Sequence, residues 1–312
     1  MDPLNQEQLD HYHHRGWVTL AGPFSPAHVA SAAAAIGRMC PEADAGSNQR
    51  SQASFSPSAA GGPIPQPILD MIQHPWQEAV SKQVRRPPTR PHAGGGWGSN
   101  HRCRRPAGPT SLTALAAQVL RSRSIRWTGC SAVVSYPSVH PYHARAHIDE
   151  QYLPEHLQAS PVPIIHGCSL WLWLSDVTSP DAGPIRVYPG SHLLLADAWA
   201  RDPSLTELPL HIGMRKYELP QDAVAAMEPP VPILAKAGEL TLFNYGTLHS
   251  SSAVLRKGRE RRLLLLQYGD EDVVRQRQGV KSGEFYAQAR ATAAQLRPER
   301  AFLCDYSPPP RM

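Results

Sequence analysis

HGCSLWLWLSDVTSPDAGPIRVYP, residues 166–189, reads as two strands and the turn between them. HGCSLWLWLSDV (166–177) is rich in the aromatic and aliphatic residues that favour extended chain. SPDAG supplies the Ser, Pro, Asp and Gly of a turn, and PIRVYP (184–189) resumes the strand texture. The same texture extends outward in both directions. SAVVSY (131–136), LTLFNY (240–245) and RRLLLLQYG (261–269) are short strand-like runs separated by Gly/Pro punctuation, so residues from about 125 to 270 are expected to form an all-β barrel or sandwich.

The flanks read differently. Residues 5–15 are helical in pattern, WVTL after Gly16 is a short strand, and FSPAHVASAAAAIGRM opens a second helix with Ser25 as N-cap and Pro26 at its first position. Residues 43–66 are Ser/Gly/Pro/Gln-rich and are expected to be loop. PILDMIQHPWQEAVSKQV regains helical spacing with a break at Pro75, SLTALAAQVLRS is a further helix, and GEFYAQARATAAQL returns to helix before the SPPPRM tail. The expectation is one domain over residues 1–312, mainly β with flanking α-helices: a helical part to residue 124, the β core, and a helical end at 271–312.

Composition narrows the function classes. With 312 residues and 41% hydrophobic content the chain can bury a substantial core. Its five cysteines are scattered without a C-x-x-C, which speaks against a disulfide framework and a thiolate zinc site. The net charge of +5 raises the question of nucleic acid, but residues 85–109 alone hold six arginines and no acid, and without them the chain would be slightly acidic. That Pro/Gly/Arg-rich segment is expected to be a disordered loop, so nucleic acid is not the expected partner. No apolar run reaches transmembrane length and no signal peptide is evident, so a cytoplasmic location is expected. The terminal Pro-Arg-Met matches a peroxisomal tripeptide at only two positions, which makes peroxisomal import the weaker alternative.

The chemistry is sought in AHIDEQYLPEH, residues 146–156. His147 and Asp149 would face the same side of a strand and could reach one ion. Taken alone, an H-x-D in a chain with 15 histidines is background. His249, in LTLFNYGTLHSSS, offers a third ligand, and two histidines with one carboxylate leave three positions open on Fe(II). Downstream, RKGRERRLLLLQY carries arginines into an apolar strand, where a buried guanidinium would need an anion such as a dicarboxylate.

These segments together resemble the phytanoyl-CoA dioxygenase family of Fe(II)/2-oxoglutarate oxygenases. The resemblance follows the family order: EQLDHYHHRGWVTLAGPFSPAHVASAAAAI, HIDEQYLP, WLWLSDVTSPDAGPIRVYPGSH, and GELTLFNYGTLHSSS with RERRLLLLQY. It implies a double-stranded β-helix, or jelly roll, with His147, Asp149 and His249 as catalytic iron ligands. It also implies 2-oxoglutarate and O2 as co-substrates, with ascorbate as an optional reductant, and hydroxylation of a small organic or acyl substrate with release of succinate and CO2. Arg261, counted back from Tyr268, is the expected anchor of the far carboxylate, with Arg259 and Arg262 as the alternatives; strand alternation puts 259 and 261 on one side and 262 on the other. Trp171 matches the tryptophan that lies against the co-substrate. Where the family often has a lysine before H-x-D, this chain offers Ser135 and Tyr136, and Tyr136 is expected at the co-substrate.

Halogenating relatives replace the carboxylate with a small residue, so Asp149 favours hydroxylation. The alternative is a catalytically inactive jelly-roll binding protein. In PGSH, Pro189 and Gly190 are expected to turn the chain, with Ser191 and His192 ending the strand in a structural role. His140 and His143 read as surface residues, and Ser250, Ser251 and Ser252 as residues at the pocket mouth. Substrate choice would reside in loops 151–168 and 197–232, which carry no readable code.

Overall fold

The computed structural model describes residues 4–40, 50–55, 64–72, 112–122, 125–149, 167–202, 225, 227–270 and 294–295. Helix α1 (Gln6–Arg15) begins with a capping box in which the Asn5 side chain accepts from the Gln8 N–H and the Gln8 side chain accepts in return. It ends at Gly16 in the left-handed region (φ +95°), and a Cβ there would come within 2.1 Å of Thr247 Oγ1. Only glycine permits both the turn and the close approach. Strand β1 (Trp17–Leu20) follows, then α2 (Pro26–Met39), capped by Ser25 with Pro26 in its first turn. Next come β2 (Arg50–Phe55), α3 (Gln66–Ile72) and α4 (Leu112–Val119).

The β core has two sheets. Strands β3 (Ile125–Ser135), β4 (Gly167–Trp173), β7 (Leu240–Asn244) and β9 (Arg261–Asp270) join β1 and β2 in a six-stranded sheet of order β1-β7-β4-β9-β3-β2. Every pairing recorded in it is antiparallel. Strands β5 (Ile185–Val187), β6 (Val231–Ile233) and β8 (His249–Ser251) form a three-stranded sheet of order β6-β5-β8. Between β5 and β6 lies helix α5 (Ser191–Arg201).

Strand alternation divides the core. On β9, Leu264, Leu266 and Tyr268 face the helical layer and pack with Ile36, Leu115 and Val119. Leu263 faces the small sheet and packs with Trp171, Trp173, Phe243, Ile185 and Val187. The large sheet is therefore apolar on both faces, which is why its strands read as continuous hydrophobic runs. This two-sheet, mainly antiparallel arrangement is the expected jelly roll.

Two local expectations need correction. Residues 50–55 are not loop: RSQASF pairs along its whole length with β3 as the outermost strand. Its polar composition suits an edge, where apolar residues would invite association. Ser191 and His192 do not end a strand but open α5, because Gly190 (φ +71°) reverses the chain and SHLLLADAWAR then places Leu195 and Trp199 on one buried face. The basic segment 85–109, the loop 151–166 and most of the C-terminal helical segment lie outside the described residues.

Candidate metal centre

His147, Asp149 and His249 converge where the two sheets part, each offering one ligand atom, all within 4.8 Å of one another. Asp149 Oδ1 lies 4.0 Å from His147 Nε2 and 3.8 Å from His249 Nε2. The imidazole centroids are 4.3 Å apart. The sequence placed His147 and Asp149 on a strand, but the backbone here is irregular: His147 makes a single antiparallel bridge to His249, with N···O distances of 2.9 Å both ways. Asp149 is tied by its N–H to the Tyr245 carbonyl at 2.9 Å. Ile148, between the ligands, is buried among Leu195, Trp199, Tyr245 and Leu248, anchoring the segment from behind.

Both rings are oriented by the backbone. His147 Nδ1 donates to the Arg145 carbonyl and His249 Nδ1 to the Thr247 carbonyl, each at 3.1 Å. A carbonyl can only accept, so each Nδ1 carries a hydrogen and each Nε2, on the Asp149 side, is the nitrogen left to meet a metal. Two imidazole lone pairs and one carboxylate on a single side are a donor set suited to Fe(II). Tyr245 lies beside Asp149, and burial, reinforced by that carboxylate, pushes its hydroxyl well above the usual range and holds it protonated.

PGSH secures the distal ligand. The Leu248 N–H donates to Ser191 Oγ at 2.9 Å and the Tyr188 N–H donates to the Leu248 carbonyl at 2.9 Å, so both polar groups of the residue before His249 are clamped. Neighbouring His192 donates from Nε2 to the His13 carbonyl at 2.9 Å, and burial lowers its pKa to about 4. This structural role for His192 agrees with the sequence reading. The clamp by Ser191 was missed, because it depends on a tertiary contact that the motif does not display.

The ligands open onto a cavity of about 390 Å³, within the range of small-molecule sites. Arg261 lines it from β9 with only 1% of its surface exposed, donating to the Gly183 carbonyl and, at 2.7 Å, to Ser135 Oγ. Arg262, on the opposite face of the strand, bonds instead to the Ala33 carbonyl and Glu260. Arg259 is not among the lining residues. Trp171 lines the cavity, stacked on Phe243 at 4.1 Å and 5.6 Å from the His249 ring.

Tyr136 is a correction: strand alternation turns Ser135 toward the cavity and Tyr136 toward the helical layer, where its hydroxyl donates to the Cys40 carbonyl at 2.5 Å. Tyr136 is not among the lining residues, and Ser135, bonded to Arg261, stands on the cavity side. Of the three serines after His249, Ser251 lines the cavity. His140 and His143 are exposed, as expected.

The fold and donor set define a jelly-roll metalloenzyme. The family model of the phytanoyl-CoA dioxygenases matches residues 12–262, and the chain belongs to that family. No curated protein sequence matches it. Among solved structures it is similar to the non-haem α-ketoglutarate-dependent carbocyclase SnoK from nogalamycin biosynthesis (17% identity, 86% of this chain and 87% of that one, TM-score 0.52). It is also similar to HygX from Streptomyces hygroscopicus with nickel and 2-oxoglutarate bound (16% identity, 86% and 88%, TM-score 0.50). A third is AviO1 from Streptomyces viridochromogenes Tue57 (16% identity, 87% and 97%, TM-score 0.51). The protein is thus an enzyme of the 2-oxoglutarate-dependent class, with a site suited to iron. Among the described residues no helix is long and apolar enough to cross a membrane.

Proposed function

We propose that the protein is an Fe(II)- and 2-oxoglutarate-dependent dioxygenase that hydroxylates an unactivated C–H bond of a small organic or acyl substrate, releasing succinate and CO2. The observation that carries this reading is the placement of two opposed functions on one cavity: the His147/Asp149/His249 donor set, and the buried guanidinium of Arg261.

His147, Asp149 and His249 would hold the iron on one side, leaving the other side open to small ligands. When bound, iron and 2-oxoglutarate supply the oxidising power, with O2 as the second co-substrate. The chain's own residues do the rest. Arg261, steadied by Ser135 and the Gly183 carbonyl, offers a fixed cation to the far carboxylate of 2-oxoglutarate. Trp171, held flat by Phe243, forms an apolar wall beside His249. Val133, Ile185, Leu263 and Leu265 give the cavity an apolar wall that favours exclusion of water around the reacting groups.

Asp149 fills the position that must be vacated for a halide, which supports hydroxylation. The test is conversion of 2-oxoglutarate to succinate by purified protein supplied with Fe(II) and ascorbate, with His147→Ala in parallel. Succinate from the wild type alone supports the proposal; equal background in both supports a binding protein of the same fold.

A further inference from the structure

On β9 the cavity row runs Arg261, Leu263, Leu265, Gln267. The guanidinium at its near end has a role in the proposed reaction, and the two leucines are wall. Gln267 is the unexplained member. It lies six residues from Arg261, roughly 20 Å along the strand at about 3.4 Å per residue. Its neighbour on β3 is Gly129, at a register irregularity, so no side chain crowds it there. Its neighbour on β4 is Ser169, which is fully buried.

Neither group is satisfied among the described residues. The Gln267 carboxamide makes no hydrogen bond among the described residues, and Ser169 Oγ, on the same face of β4 as Trp171, has no partner among them either. A buried hydroxyl without a partner is costly to keep, and a cavity-lining amide beside it offers both a donor and an acceptor to whatever enters. Ser131, diagonal to Gln267 across β3, adds a third polar side chain to the same wall.

The location separates this group from the co-substrate's anchor. Phe243, the β7 partner of Ser169, and Trp171, the β4 partner of Leu265, have rings 4.7 and 5.6 Å from that of His249, so the Leu265–Gln267 end of the row is the one nearer the metal ligands. A five-carbon dicarboxylate extending from Arg261 toward the metal lies on the Arg261 side of Gln267. The chemistry is also distinct: Gln267 and Ser131 are neutral, and among the described lining residues Arg261 is the only Arg or Lys.

We infer that Gln267 is the specificity-determining contact for the substrate, reading a neutral hydroxyl or amide group close to the carbon that reacts. The inference rests on the oxygenase reading above and adds the class of substrate to it. A purely hydrocarbon reacting end would leave the amide unmet, and a site that loses such a hydrogen bond discriminates strongly against the analogue lacking the group.

The experiment uses the full-length protein with Fe(II), 2-oxoglutarate and a panel of neutral small-molecule alcohols and amides, each paired with its deoxy or hydrocarbon counterpart, together with fatty acyl-CoA thioesters. Substrate-stimulated succinate release is measured for wild type, Gln267→Leu, Ser169→Ala and His147→Ala. The inference expects stimulation by hydroxyl- or amide-bearing members over their counterparts. It expects Gln267→Leu to lower kcat/KM for those members by about 10- to 100-fold and to narrow the gap within each pair, with the KM for 2-oxoglutarate within twofold of wild type. Ser169→Ala, which removes a fully buried hydroxyl outside the cavity lining, should fold as wild type and leave the ratio within each pair unchanged. A rise in the KM for 2-oxoglutarate in Gln267→Leu would assign the amide to the co-substrate and overturn the inference. Stimulation only by compounds lacking a hydroxyl or amide, or by none, overturns it as well. Wild-type succinate release no greater than that of His147→Ala removes the oxygenase reading itself, and this inference with it.

Discussion

The two sheets are built on different terms. In the large sheet, β9 pairs along its length with both β3 and β4, and its side chains are buried on both faces. In the small sheet the strands are three residues long, and the metal ligands stand at its margin: His147 on one bridge, Asp149 on one backbone hydrogen bond, His249 at the first position of β8. Stability resides where pairing is continuous. The donor atoms reside where it is sparse, fixed by hydrogen bonds from outside the sheet, and an irregular backbone lets three side chains from two segments turn toward one point.

Breaking the large sheet should therefore cost stability first. Leu264→Ala, at a fully buried position between α2 and β9's neighbours, should destabilise the protein by about 2–5 kcal/mol in denaturant titration, while the fraction that stays folded keeps its metal affinity. Changes at the cavity between the sheets should do the reverse. Arg261→Lys keeps the charge but loses the fork that reaches Ser135 and Gly183, and it should raise the KM for 2-oxoglutarate roughly 10- to 100-fold with a small change in Tm.

Ser191→Ala falls between the two. It leaves the buried Leu248 N–H unmet, which should cost about 1–3 kcal/mol and weaken metal binding about tenfold, and Ser191→Thr should recover part of both. The smallest effect is one of pH. His192 is buried and neutral with its pKa lowered to about 4, whereas the unfolded chain takes up that proton near 6.5. The unfolded state therefore binds more protons between those values, and stability falls as pH drops through the window, by about 1–2 kcal/mol from pH 6.5 to 5. His192→Gln should flatten that slope in thermal melts taken across the range.

The same contrast explains what could be read from the sequence. The long strands of the large sheet declare themselves because residues buried on both faces leave an unbroken apolar run, as in RRLLLLQYG. Alternation along that run puts Arg261 and Arg262 on opposite faces, and the structure has them so. Applied one strand earlier it would have favoured Ser135 over Tyr136, since Arg261 and Ser135 are register partners. β2 was missed because an edge strand needs no apolar side chains, and α5 because PGSH resembles a strand ending until Leu195 and Trp199 are seen to share a face. The three ligands were legible as residue types in order. The Ser191 clamp, and the polar pair at Gln267 and Ser169, were not, since each exists only across strands distant in sequence.

The central claim is that His147, Asp149 and His249 form an iron site. Anaerobic equilibrium dialysis against Fe(II), with wild type, His147→Ala and Asp149→Ala at matched concentration, tests it most directly. The account predicts one iron per chain for the wild type and loss of that stoichiometric ion in both variants, which remain folded. Equal iron content in all three would contradict it.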